Sequence, residues 1–103
     1  MLSKKECMEH FDILYKLNPY CTKETFLNVR DLINILDENH CPNQIKYNKQ
    51  NEIILIYDNH KEIIVSKIDI MLCYENYSTR VVIGSYSRFD QEVIYKIKSF
   101  LEK

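Results

Sequence analysis

From Ile45 to Tyr86 the chain is built almost wholly of β-branched and aromatic residues that alternate with a period of two, and segments of helical period flank this run on both sides. Residues of these types fit a pleated, half-buried surface, and the two-residue period sends successive side chains to opposite faces. Two helix-period segments before the run and one after it predict an α+β fold: an N-terminal helical hairpin, a four-stranded, mostly antiparallel meander sheet and a C-terminal helix packed on it. One core accounts for a chain of 103 residues, so residues 1–103 are read as a single domain.

Ser3 followed by Glu6 forms a capping box, and Cys7, Met8, Phe11, Leu14 and Tyr15 recur at steps of three and four, which predicts a helix over 3–17. Asn18-Pro19 stops it. Thr22 caps a second helix over 23–39 whose stripe is Phe26, Val29, Ile33 and Leu36, widened by Leu27 and Leu32, with Asn39 placed as a left-handed terminator. The short link between the two helices predicts an antiparallel pair.

In the sheet region the segments 44–47, 52–58, 62–74 and 79–86 read as four consecutive strands, with turn signals at 48–51 and 58–61. The third is long and apolar on both sides: Ile64, Ile68, Ile70 and Leu72 on one, Ile63, Val65, Met71 and Cys73 on the other, with Lys67 and Asp69 interrupting the second. Such a strand implies helices or a second subunit over both faces, or a bend near Ser66-Lys67 that divides it. Ser87 is placed to cap a last helix over 88–102, with Phe89, Val93, Ile94, Ile97, Phe100 and Leu101 on one stripe.

Composition and charge narrow the function classes. The chain has no Ala or Trp and one Gly, against 14 Ile, 11 Lys, 9 Asn and 8 Tyr, which matches AT-rich codons and hence a phage, virus, mobile element or low-GC bacterium as source. Net charge is −1, with five basic and seven acidic residues over 1–43 and nine and eight over 44–103. No concentrated positive face is present to displace counterions, which argues against nucleic acid as a partner. No apolar run approaches the ~20 residues that cross a bilayer, and the first residues lead into an amphipathic helix rather than an apolar signal core. The expectation is a cytoplasmic protein without a membrane partner. Cys7, Cys21, Cys41 and Cys73, spaced by 14, 20 and 32, follow no disulfide framework and read as reduced thiols. A predicted helix of about 17 residues between Cys21 and Cys41 holds those two roughly 25 Å apart.

Candidate chemistry is sparse. Cys7 and His10 with His40 and Cys41 supply the residue types of a zinc site, but their spacing is irregular and Cys7 lies on an apolar stripe, so no metal is expected. Cys73 or Cys41 could pair with His60 or His40, yet no Gly-rich elbow or helix N-terminus is placed to activate the thiol. No catalytic residue and no cofactor are assigned, and the chain is read as not an enzyme. Asn76-Tyr77-Ser78 matches a glycosylation sequon, which matters only in a secretory chain.

The tyrosines point furthest. Tyr15, Tyr47, Tyr57, Tyr74 and Tyr95 fall on or beside apolar stripes and read as core margin. Tyr77, in the predicted loop 75–78 beside Arg80, is the candidate interface anchor. Tyr86 and Arg88 extend that surface, and an edge strand around Ile45–Tyr47 offers a second route to a partner. The expectation is a small non-enzymatic protein-binding module, an inhibitor or regulator of a larger host protein such as a defence-system component, encoded by a phage, virus or mobile element. The alternative is a homodimeric structural or regulatory protein binding nucleic acid or a small ligand.

Overall fold

The computed structural model describes residues 1–83 and 89–102. The chain runs α1 (Lys4–Leu17), α2 (Lys23–Ile35), one 3₁₀ turn (Glu38–His40), β1 (Gln44–Tyr47), β2 (Ile53–Ile56), β3 (Lys61–Val65), β4 (Asp69–Tyr74), β5 (Tyr77–Val82) and α3 (Gln91–Glu102). The strands form one antiparallel sheet in the order β1-β2-β3-β4-β5. The α+β class, the helical pair and the meander are as expected from the pattern; the strand number is five rather than four.

Local signals account for most boundaries. Ser3 Oγ accepts from Glu6 N while Glu6 Oε1 accepts from Ser3 N, which closes the capping box of α1. The Ser3 backbone N–H, ahead of the Ser3 side chain, holds the Glu6 carboxyl below its ordinary range. Thr22 Oγ1 accepts from Thr25 N at the start of α2. Lys4 Nζ reaches the carbonyl of Asn34 at 3.0 Å, and Phe11 and Tyr15 near the end of α1 pack on Phe26 near the start of α2. Opposite ends meet, so the pair is antiparallel.

Two helix limits differ from the pattern. The segment leaves α2 at Leu36, which is extended and buried, and refolds as the 3₁₀ turn; Asn39 lies inside that turn and has no left-handed φ. Asp37 supplies the reason, because its carbonyl accepts from His40 N and turns the chain toward β1. At the other end α3 begins at Gln91, and its cap is Asp90, whose Oδ1 accepts from Val93 N. Ser87, the expected cap, lies outside the described residues.

The long third strand is two strands. Ser66–Ile68 form a turn in which Ser66 Oγ accepts from Ile68 N and Asp69 N, and Nδ2 of Asn28, buried on α2, donates to the carbonyls of both Ser66 and Lys67 at 3.0 and 3.1 Å. Val65 then pairs with Ile70 and Ile63 with Leu72, so the inward side changes parity across the turn. Ile63, Val65, Ile70 and Leu72 face the core together, while Ile64, Met71 and Cys73 face away; Ile68, at the turn tip, is exposed. The apparent two-sidedness came from reading one period through a chain reversal.

The core joins Cys7 and Phe11 of α1, Val29, Leu32 and Ile33 of α2, and Val93, Ile97 and Phe100 of α3 to Ile45, Ile53, Leu55, Ile63, Val65, Ile70, Leu72 and Val81 of the sheet. Every one of those strand residues lies on the same face by register. All three helices therefore form one layer, and the sheet is the other. Asn28→Ala removes both bonds to the 66–68 turn and is expected to lower the unfolding free energy by about 1–3 kcal/mol, measured by urea denaturation against Asn34→Ala on the exposed side of α2.

Candidate functional site

The second face of the sheet has no helix of the described residues upon it. Its cross-strand rows follow from the register. One reads Lys46, Ile54, Ile64, Met71, Arg80 from β1 to β5, and the next reads Gln44, Ile56, Glu62, Cys73, Ser78; Asp69 and Val82 follow beyond the first. Ile54, Ile56, Ile64, Met71 and Cys73 are half-buried by their sheet neighbours and Val82 is 59% exposed. None belongs to the core or to the partly buried shell packed against it. An apolar band thus runs over β2, β3 and β4, with a cation at each end of its main row.

The charges on this face are few. Arg80 Nε donates to Asp69 Oδ2, and Asp69 Oδ1 accepts from Ser66 Oγ, so that pair is fixed to the 66–68 turn. Lys46 and Glu62 have no ion-pair partner among the described residues. The four charges at strand positions of this face, Lys46, Glu62, Asp69 and Arg80, sum to zero.

Tyr77 and Arg80 do not form one surface. The turn between β4 and β5 is Glu75-Asn76, with Glu75 at φ 53°, and Tyr77 is already the first residue of β5, opposite Tyr74. Tyr77 is 64% exposed and lies on the helix-side face of the strand, whereas Arg80, an odd number of residues on, lies on the open face. Tyr86 and Arg88 lie outside the described residues.

The catalytic and metal alternatives meet specific obstacles. Cys73 and His60 line one shallow depression of about 470 Å³ with Glu62, Glu75 and Asn76 at the end of the open face. No hydrogen bond joins the thiol to the imidazole among the described residues, and burial first, then Glu62, pushes the Cys73 thiol up, away from the thiolate a nucleophile needs. Cys7 and Cys41 do come near each other, close enough for Cys41 to raise the Cys7 thiol after burial does, and the Cys41 thiol donates to the Asp37 carbonyl. Their expected histidine partners do not join them, since His10 is exposed and His40 Nδ1 lies 3.5 Å from Asp37. Among the described residues no group of three or more His, Cys, Asp or Glu is placed to hold a metal ion, and no helix is long and apolar enough to cross a membrane.

The residues of this band that the sequence pattern does not bring together are Ile54, Ile64 and Met71. Their adjacency spans three strands and depends on the register set by the 66–68 turn, which a strand read straight through cannot supply. With the fold and this face described, comparison with known proteins adds nothing: no family model, no curated protein and no solved structure matches the chain.

Cys7 also yields a pH prediction. Burial, ahead of its neighbour Cys41, pushes its thiol from 9.0 up to about 12, and burial raises Tyr57 in the same direction. The unfolded chain releases the Cys7 proton near 9 while the folded chain keeps it, so the stability this group contributes is complete below pH 9 and is lost as pH rises from 9 to 12. Unfolding free energy is expected to fall by up to about 1.4 kcal/mol per pH unit in that window, and Cys7→Val to flatten the fall, in urea titrations at stepped pH.

Proposed function

We propose that this chain is a non-enzymatic protein-binding module that acts through the open face of its sheet, occupying a surface of a larger protein as an inhibitor or regulator. The observation that carries this reading is the row Ile54, Ile64, Met71, apolar across three adjacent strands on the face that no helix of the described residues covers. A contiguous apolar band edged by polar groups marks contact surfaces on soluble proteins. Arg80 borders the band and is a residue type that anchors interfaces, whereas Tyr77 lies on the other side of β5 and is no part of this surface. The four thiols, all unpaired and raised by burial, suit a reducing cytoplasm and offer no activated nucleophile, so the reading rests on contact rather than turnover. The AT-rich composition supports a phage, virus or mobile element as its source.

Ile64→Glu places a charge at the centre of the band and is expected to lower the yield of a stoichiometric partner at least tenfold, about 1.4 kcal/mol or more, in affinity capture from host lysate. Tyr95→Ser, at an exposed site on α3, is expected to leave capture unchanged. Equal recovery with all three chains excludes the open face as the binding surface.

A further inference from the structure

We infer that a second copy of this chain occupies the open face when no larger partner is bound to it, a pairing that rests on the reading of this face as a protein-binding surface. The unmet charges select this occupant. Arg80 and Asp69 neutralise each other within the chain, which leaves, at the strand positions of this face, one cation, Lys46, and one anion, Glu62, without ion-pair partners among the described residues. Strands that present one unmatched charge of each sign complement themselves: in an isologous pair every contact occurs twice, so a Lys46–Glu62 contact between copies satisfies all four groups.

Register restricts the geometry. A two-fold axis parallel to the strands lays β1 of one copy over β5 of the other and stacks Lys46 on Arg80. An axis along the Lys46–Arg80 row stacks each cation on itself. Both oppose like charges. A diagonal axis through Ile64 avoids this, and it crosses the sheets near 90°, one of the two usual sheet-packing angles. The row of one copy then runs along β3 of the other. Lys46 is two strands from Ile64, roughly 10 Å, and Glu62 is two residues from it, roughly 7 Å, so the lysine comes over Glu62 of the second copy within reach of its side chain. Ile54, Ile64 and Met71 meet their counterparts between these contacts.

The face measures roughly 19 by 17 Å, from five strands of about five residues. A pair built on it stays below the ~1,200 Å² buried by standard stable complexes, so the dimer is weak, reversible and sensitive to salt through its rim charges.

Sedimentation velocity in low salt, from about 10 μM to about 1 mM protein, is expected to show the mass rising from 12.4 kDa toward twice that value, with half-association on the order of 100 μM. Lys46→Glu and Glu62→Lys, both at exposed sites, each place like charges at both contacts and are expected to weaken association at least tenfold. An equimolar mixture of the two restores opposite charges at both contacts and is expected to recover association to within about threefold of the parent chain. A constant 12.4 kDa mass throughout, or a mixture no better than either variant alone, overturns the pairing. If the chain stays monomeric while Ile64→Glu still loses a captured protein, self-association is overturned and the protein-binding reading of the face stands.

Discussion

Asn28 ties the two layers together at the point where the sheet decides which way its side chains face. Its amide, buried on α2, donates to two consecutive carbonyls of the 66–68 turn, and the turn's Ser66 engages Asp69, which in turn holds Arg80 on β5. The chain of bonds crosses from the helix layer through β3 and β4 to the last strand. What it secures is register. Val65 opposite Ile70 places Ile70 and Leu72 in the core, and a slip of one residue would exchange them for Met71 and Cys73. The open face and the closed core are thus two results of one turn.

The parts of the fold legible from sequence were those decided within a few residues. The capping box at Ser3 and Glu6, the Thr22 cap and the Asp58–Lys61 turn each need only neighbours along the chain, and each is present; Asn59 and His60 both take the left-handed φ of a primed hairpin turn. Features decided by distant residues were not legible. The 66–68 turn has no Gly or Pro and depends on Asn28, 38 residues away, so the segment 62–74 read as continuous strand. Leu36 continues the helical stripe by spacing, but Asp37 diverts the chain into a 3₁₀ turn. The candidate site inherited these errors. Tyr77 and Arg80 looked like neighbours in a loop and are separated by the parity of a strand, while Cys7 and Cys41 meet across 34 positions of chain that spacing could not fold.

The chemistry that proteins use for turnover asks for a group held away from its ordinary ionisation in the useful direction. Each cysteine here is shifted the other way, because burial favours the neutral thiol. Cys73 sits beside His60 in the end depression, but the anionic Glu62 opposite it further opposes thiolate formation. These shifts are those of packed side chains, and they support the proposal that the chain acts by contact through the outer side of its sheet.

Strand propensity alone does not account for that side. Isoleucine at positions 54, 56 and 64 satisfies a pleated backbone whether or not anything covers it, and the codon bias of the chain supplies isoleucine freely. Met71 is different. It occupies the centre of β4 between Ile64 and Arg80, where a solvent-facing strand ordinarily carries a polar or β-branched residue, and its flexible thioether is the side chain best able to repack against another surface. Lys46 and Glu62 stand on the same side within two strands of one another yet have no ion pair of their own among the described residues, although the nearby Arg80 and Asp69 do. An adaptable apolar centre with an unmatched strand charge of each sign beside it supports the proposal that this side of the sheet meets another protein.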